Sequence, residues 1–222
     1  MSINSQDYWN LRFASGDWSA KSGFAQTKAF AQSQVERFGI SSDFSGTLCD
    51  FGCGAGDSFP VYRAAFPRAR LFGVDFSQEA IALCRSRFGS LATFLCGSVD
   101  IVPHSDVIVC SNVLEHLEDD VGTAAELLRR CRKLLLIVPY RERPLDKEHV
   151  REYDRKSFSP LAPARTVVFD SPVWSQYGWN LIVGVYALNP VRAVLGRPWQ
   201  RRRMQVLYEF AGAPSQRSEE SR

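Results

Sequence analysis

The chain has 222 residues, a length that suits one α/β domain with modest additions. Hydrophobic residues make up 45% of it and charged residues 23%, which is ordinary for a soluble globular protein. The formal net charge of +3 is too small to indicate a nucleic-acid-binding protein by itself.

The chain before Gly46 is predicted to be helical. Residues 7–13 indicate a first helix. Four apolar residues at helical spacing indicate another, which Gly39 ends: Phe24, Ala31, Val35 and Phe38. We therefore expect residues 1–45 to form a helical cap.

From Thr47 onward, short apolar runs alternate with helical patterns. Five runs rich in Val, Leu, Ile, Phe and Cys are typical of strands buried on both faces: residues 47–51, 69–74, 92–96, 105–110 and 133–138. Helices are predicted near Asp57, from the N-cap residue Ser77, and after Asp119. This alternation predicts a parallel sheet with helices on both sides.

The pattern changes after Pro139. A charged stretch, residues 141–156, precedes two predicted strands, 165–170 and 181–188, with no convincing helix between them. We expect these strands to be an antiparallel pair that closes the sheet. Residues 197–210 are interpreted as a short basic helix, and the chain after Gly212 as a disordered tail. The predicted core is therefore 46–190, followed by a basic extension, 191–222.

The strongest local signal is a glycine-rich turn after the first predicted strand, at Gly52, Gly54 and Gly56. Ligands of open parallel sheets bind beyond the carboxyl ends of the strands, and glycine lets the backbone approach them closely. The third glycine comes one residue too early for a dinucleotide fingerprint, and no lysine follows as in a P-loop. A tight turn without a ligand is the alternative interpretation.

Two carboxylates end neighbouring predicted strands. Asp50, beside the glycine turn, would repel a pyrophosphate but suits a ligand that carries an ammonium and a sulfonium group. Asp75 ends the second strand, where a carboxylate can accept hydrogen bonds from both hydroxyls of a ribose. The alternative role of Asp75, capping the next helix, is better filled by Ser77.

These motifs together resemble the class I S-adenosylmethionine-dependent methyltransferases, of the small bacterial type with a DxGCGxG motif. The resemblance covers roughly residues 7–153. It rests on Asp-Phe-Gly-Cys-Gly-Ala-Gly at 50–56, Val-Asp at 74–75, Ser-Asn-Val-Leu-Glu-His-Leu at 111–117, and Leu-Ile-Val-Pro-Tyr at 136–140. It implies a doubly wound, Rossmann-like, mostly parallel sheet of seven strands with the last strand antiparallel, and S-adenosylmethionine as cofactor.

The resemblance also implies a set of cofactor-binding residues. Carried over by position, they are Asp50, Gly52, Gly54, Gly56, Asp75, Phe76, Ser98, Val99 and Asn112. One position departs from the family, which commonly has an Asp after the third strand that binds the adenine amino group. Ser98 stands there in this chain, so either Ser98 or Asp100 would make that contact.

Two histidines are candidates for catalysis. His149 follows the fifth strand, where acceptor contacts usually fall in this fold, and with a free pKa of about 6.5 it could act as general base. His116 follows the fourth strand, where we favour a role in orienting the loop over a role in catalysis. Tyr8, Trp9 and Tyr153 are candidate acceptor contacts, although Tyr8 and Trp9 could equally pack on the core.

The predicted function is therefore methyl transfer to a small-molecule acceptor, with oxygen as the favoured atom. The alternatives are an N-methyltransferase, an RNA-directed methyltransferase that uses Arg201 to Arg203, and a non-catalytic partner subunit. Nucleic acid is not the expected acceptor. The spacing of Cys and His indicates no metal site, so no metal is predicted, and the six cysteines are interpreted as buried reduced thiols.

The start of the chain has no signal-peptide pattern, and the longest apolar run, residues 134–138, is too short to cross a bilayer. We expect a cytoplasmic protein with no membrane span. The sequence does not determine its oligomeric state.

Overall fold

A computed structural model describes residues 1–171, 183, 187–197, 199 and 202–212. In this part of the chain, seven strands form one sheet in the order β3-β2-β1-β4-β5-β7-β6. The strands are β1 (Thr47–Phe51), β2 (Arg70–Asp75), β3 (Thr93–Cys96), β4 (Ser105–Ser111), β5 (Cys131–Pro139), β6 (Arg165–Asp170) and β7 (Met204–Ala211). The first five are parallel, and β7 is antiparallel to both β5 and β6. The predicted fold class is confirmed.

Helices precede the sheet and connect its strands. They are α1 (Gln6–Ala14), α2 (Asp17–Ala20), α3 (Gly23–Val35), α4 (Phe59–Ala65), α5 (Gln78–Phe88), α6 (Asp120–Arg129) and α7 (Leu188–Val194). Ser77 caps α5 as predicted, because its hydroxyl accepts a hydrogen bond from the backbone N–H of Ala80 at 3.2 Å. None of the helices in the described residues is long and apolar enough to cross a membrane.

Alternate residues along each central strand face opposite sides of the sheet and build two apolar clusters. Leu48 belongs to the cluster that contains residues of α3, α4 and α5, whereas its neighbour Cys49 belongs to the cluster that contains residues of α6. Both residues are fully buried. Burial on both faces explains why these strands lack a polar–apolar alternation in the sequence.

The C-terminal part corrects three predictions. Residues 204–211 form β7, not a basic helix, and they lie inside the sheet between β5 and β6 rather than in an extension. The partner of β6 is therefore β7. The predicted strand 181–188 lies mostly outside the described residues, and its last residue, Leu188, begins α7. The tail after Gly212 also lies outside them.

The cysteines differ in one position from the expectation. Within the described residues all six are free thiols, and five are buried, but Cys96 at the end of β3 is exposed.

Candidate active site

The carboxyl ends of the parallel strands open into one cavity of about 1410 Å³. Asp50, Gly52, Gly54 and Asp75 line it where β1 and β2 end. Binding sites for a single small molecule usually have about 300–1,000 Å³. The cavity therefore has room for a nucleoside-sized ligand and a second molecule beside it.

Two buried carboxyl groups face this cavity. Asp50 is 5% exposed and accepts a hydrogen bond of 2.6 Å from the hydroxyl of Ser58, while Asp75 is 7% exposed and accepts from the backbone N–H groups of Gly54 and Ser77, both at 2.9 Å. Burial raises the pKa of Asp50 to about 7 and that of Asp75 to about 6, although these hydrogen bonds act in the opposite direction. This wall therefore favours a positively charged ligand.

The glycines of the turn do not all face the cavity. Gly54 has φ +51°, and a Cβ built on it would meet only Phe13, at 3.7 Å, so the space beside it is open. A Cβ on Gly56 would lie 3.0 Å from both Cys84 and Phe88 of α5. Gly52 and Gly54 line the cavity, and Gly56 instead lets the turn pack closely against α5.

The next predicted cofactor contacts also reach the cavity. Phe76 follows β2, and Ser98 and Val99 follow β3; all three line it, whereas Asp100 is exposed and does not belong to the lining. Of the two candidates for the adenine contact, the structure thus brings only Ser98 to the site. Asn112, after β4, lines it as well.

Asn112 belongs to a closed ring of four hydrogen bonds that the sequence analysis did not find. Gln34 donates to Gln205, Gln205 to Asn112, Asn112 to Ser111, and Ser111 back to Gln34, at distances of 2.9–3.0 Å. Gln34 and Gln205 are each 1% exposed. The ring joins α3, β4 and β7 and lines the cavity. The one sequence signal for it is Gln205, a polar residue within the otherwise apolar strand β7.

Beyond β4 and β5 lies a second polar group, made of Glu115, His116 and His149. The two imidazole rings are 5.0 Å apart, and His149 Nδ1 is hydrogen-bonded to the carboxylate of Glu142, which also pairs with Arg203. Burial raises the pKa of Glu115 to about 7. Both predicted histidines and Glu115 line the cavity.

The environments of the two histidines shift their pKa values in opposite directions. Burial, together with the nearby charge of His149, lowers the pKa of His116 to about 4. Burial also acts to lower the pKa of His149, but the hydrogen bond to Glu142 and the charge of Glu115 outweigh it and raise the pKa. The two rings therefore titrate in different pH ranges.

Helix α1 contacts Glu148, whose backbone carbonyl lies 3.1 Å from Nδ1 of His116 in the second group. Its carboxylate accepts a hydrogen bond of 2.5 Å from the hydroxyl of Tyr8 and pairs with Arg12. Trp9 lines the cavity, with its ring 5.3 Å from that of His116. Tyr8 is not among the lining residues and instead ties α1 to Glu148.

The side-chain positions also bear on Tyr153 and on the basic run at 201–203. Tyr153 is 1% exposed and donates a hydrogen bond of 2.9 Å to Asp120, so it lies in the core and does not reach the cavity. In the basic run, Arg201 lies outside the described residues. Arg202 pairs with Asp170 and Arg203 with Glu142, so these two side chains are engaged within the protein.

Comparisons with known proteins agree with this geometry. Residues 49–136 match a protein-family model described as a methyltransferase domain. No curated protein matches the chain in sequence.

Several solved structures share the fold. A complex of the Haloferax volcanii Trm112 methyltransferase activator with a protein assigned as a methyltransferase matches with a TM-score of 0.65 and 16% identity, over 93% of this chain and 98% of that one. The plantazolicin methyltransferase BpumL in complex with SAH matches with a TM-score of 0.58 and 13% identity, over 95% and 96%. Phosphoethanolamine N-methyltransferase 2 of Haemonchus contortus matches with a TM-score of 0.63 and 13% identity, over 97% of this chain and 61% of that one. Residues 49–136 thus match a methyltransferase domain, and the chain shares the fold of these methyltransferase structures, as the resemblance predicts.

The ring of hydrogen bonds yields a stability prediction. Gln34→Leu leaves the buried amide oxygen of Gln205 without its donor and the hydroxyl of Ser111 without its acceptor. We therefore expect the free energy of unfolding in urea to fall by about 1–3 kcal/mol. Gln32→Leu is the matched control, because Gln32 is exposed on the same helix. Equal losses in the two variants would contradict a stabilising ring.

Proposed function

We propose that this chain, a methyltransferase with the class I fold, transfers the methyl group of S-adenosylmethionine to an oxygen atom of a small or medium-sized acceptor. One observation carries the proposal: a single cavity has two chemically different parts. Over β1 to β3 it is lined by the glycine turn and two buried carboxyl groups, and over β4 and β5 by Glu115, His116 and His149.

The first part suits the cofactor. Asp75 binds the ribose hydroxyls, Ser98 and Val99 the adenine edge, and Asp50 and Asn112 the methionine portion. Asp50 and Asp75 would repel the diphosphate of a dinucleotide, whereas the sulfonium and ammonium groups of S-adenosylmethionine supply the positive charge that buried carboxylates favour.

The second part suits the acceptor. Glu142 orients His149 through Nδ1, which leaves Nε2 to accept the proton of an acceptor hydroxyl as the oxygen attacks the methyl carbon. The C–S bond breaks as the O–C bond forms, and S-adenosylhomocysteine leaves. Holding oxygen, methyl and sulfur in line contributes about 7–11 kcal/mol in well-oriented reactions. Trp9 covers this part from the N-terminal cap.

The acceptor is identified by a screen. The purified chain, supplied with S-adenosylmethionine labelled in the methyl group, is incubated with cell extract, and the labelled products are analysed by mass spectrometry. A labelled ether or ester supports the proposal. A labelled amine identifies an N-methyltransferase, labelled RNA an RNA-directed enzyme, and absence of transfer despite cofactor binding a non-catalytic subunit.

Gly54→Val tests the position of the cofactor. The new side chain occupies open space beside the turn, so we expect loss of S-adenosylmethionine binding, measured by calorimetry, in a protein that still folds. Gly39→Val is the control, because Gly39 also has a positive φ, +59°, but lies away from the cavity lining. Normal binding by Gly54→Val would show that the cofactor lies elsewhere.

Cofactor affinity is expected to depend on pH through the two carboxyl groups. Because burial raises their pKa to about 7 for Asp50 and about 6 for Asp75, lowering the pH neutralises first one and then the other, and affinity falls in two steps. Each neutralised group weakens binding by at most about tenfold per pH unit below its pKa. Calorimetry between pH 5 and pH 8 measures the steps.

Asp75→Asn provides the control for this pH profile. It keeps the shape of the side chain but cannot titrate, so the lower step should disappear. The step of Asp50 should remain but move to lower pH, because the charge of Asp75 helps to raise the pKa of Asp50. We also expect weaker binding at pH 8, by about 1.5–3 kcal/mol. An unchanged profile would remove Asp75 from the cofactor site.

His149→Ala tests the acceptor part. With the proton acceptor gone, we expect kcat to fall by about 10²–10⁴-fold while the Kd of S-adenosylmethionine changes little. His104→Ala is the control, since His104 is exposed and outside the cavity. Equal turnover in His149→Ala and the parent protein would exclude His149 from the reaction.

A further inference from the structure

The acceptor part of the cavity brings together three side chains that ligate metals. One ligand atom from each of Glu115, His116 and His149 lies within 4.8 Å of the other two. All three residues line the cavity. Atoms bonded to a common ion at about 2.1 Å lie no more than about 4.2 Å apart, so small side-chain rotations bring the three into bonding range.

Glu115 is a buried carboxylate without a hydrogen-bond partner in the described part of the chain. The residue is 1% exposed, and neither carboxylate oxygen has a hydrogen-bond partner among the described residues. Buried carboxylates are normally paired, hydrogen-bonded or bound to a metal, because burial removes the water that stabilises their charge. No hydrogen bond from the described residues therefore occupies the two carboxylate oxygens, and either can serve as a ligand atom.

Each of the two histidines uses its Nδ1 in a contact within the protein. His116 Nδ1 lies 3.1 Å from the backbone carbonyl of Glu148, and His149 Nδ1 contacts the carboxylate of Glu142. A carbonyl oxygen only accepts, so His116 carries its hydrogen on Nδ1 and presents a free lone pair at Nε2. Metal-binding histidines characteristically donate their second ring N–H to a backbone carbonyl or a carboxylate, and here both do.

We propose that Glu115, His116 and His149 bind one divalent transition-metal ion, such as Zn²⁺. Two imidazoles and one carboxylate suit Zn²⁺, Fe²⁺, Co²⁺ or Ni²⁺, whereas Mg²⁺ and Ca²⁺ prefer oxygen ligands alone. Three protein ligands leave an open position toward the cavity for an oxygen of the acceptor. The proposal differs from the sequence analysis, which predicts no metal site.

The inference deepens the proposed function and rests on its placement of the acceptor. The bound ion would supply Lewis acidity beside the acceptor oxygen and lower the pKa of its hydroxyl. The proton would then leave to water in the cavity, and His149 would act by binding the ion rather than by taking the proton.

The experiment uses the full chain with Cys96→Ser, because the exposed thiol of Cys96 could itself capture Zn²⁺. After treatment with a chelator and its removal, the protein is titrated with Zn²⁺ by calorimetry and with Co²⁺ by visible absorption. We expect one equivalent of each to bind, and Mg²⁺ not to compete. The Co²⁺ complex should shift the proton resonances of two of the three histidines.

Variants assign the site. Glu115→Gln, His116→Ala and His149→Ala should each weaken Zn²⁺ binding by more than tenfold, and Glu142→Gln by about 10–100-fold because it only orients a ligand. His104→Ala, which alters the exposed histidine, should bind as the parent does. Circular dichroism establishes that each variant is folded. If a variant does not fold, the histidine resonances shifted by Co²⁺ in the parent decide the assignment.

The outcomes separate this inference from the proposed function. Absence of Zn²⁺ and Co²⁺ binding, or binding that His116→Ala and His149→Ala both retain, overturns the metal site. If metal-free protein then methylates its acceptor at full rate, the proposed function stands without it. If the ion binds at these residues but no oxygen acceptor is methylated, the metal site stands and the proposed function fails.

Discussion

Burial of negative charge at the carboxyl end of the parallel sheet is the constraint on which the site depends. Asp50, Asp75 and Glu115 follow or end neighbouring strands, and each is less than one-tenth exposed. Burial raises the pKa of all three, so each carboxylate favours a positive group nearby. Hydroxyl or backbone N–H donors satisfy part of this requirement at Asp50 and Asp75. At Glu115 the carboxylate oxygens have no such hydrogen-bond partner among the described residues, which is why we propose the metal ion there and the sulfonium cofactor beside Asp50.

The walls around these carboxylates come from segments far apart in the chain. Glu148 receives the hydroxyl of Tyr8 and the guanidinium of Arg12, so the N-terminal helix and the segment after β5 are held together. On another side, Gln205 of β7 connects to Gln34 of α3. Cofactor and acceptor would therefore meet inside a cavity whose parts are fixed by polar contacts across the whole domain, which suits a reaction that depends mainly on alignment.

The parallel part of the sheet could be predicted from the sequence because its signals are local. The bounds predicted for the strand at 47–51 agree with β1, and Ser77 caps α5 as expected. The strand 204–211 was missed for a physical reason. It follows an arginine-rich run, and the polar residue Gln205 interrupts its apolar pattern. In the folded chain Gln205 is buried, and its amide is hydrogen-bonded to residues of other elements. Only pairing with β5 and β6 makes this segment a strand.

The sequence by itself determined which backbone positions bend and which side chains end the strands. The glycine turn and the aspartates at 50 and 75 follow from spacing along the chain, because a strand, its turn and the next helix are short-range structures. Tertiary structure decided which groups lie together. Gly56 packs against α5, Tyr153 lies in the core, and His149 lies beside Glu115 and His116, more than thirty residues away in the chain. Such contacts depend on how elements pack, and packing is a property of the folded chain that local spacing does not contain.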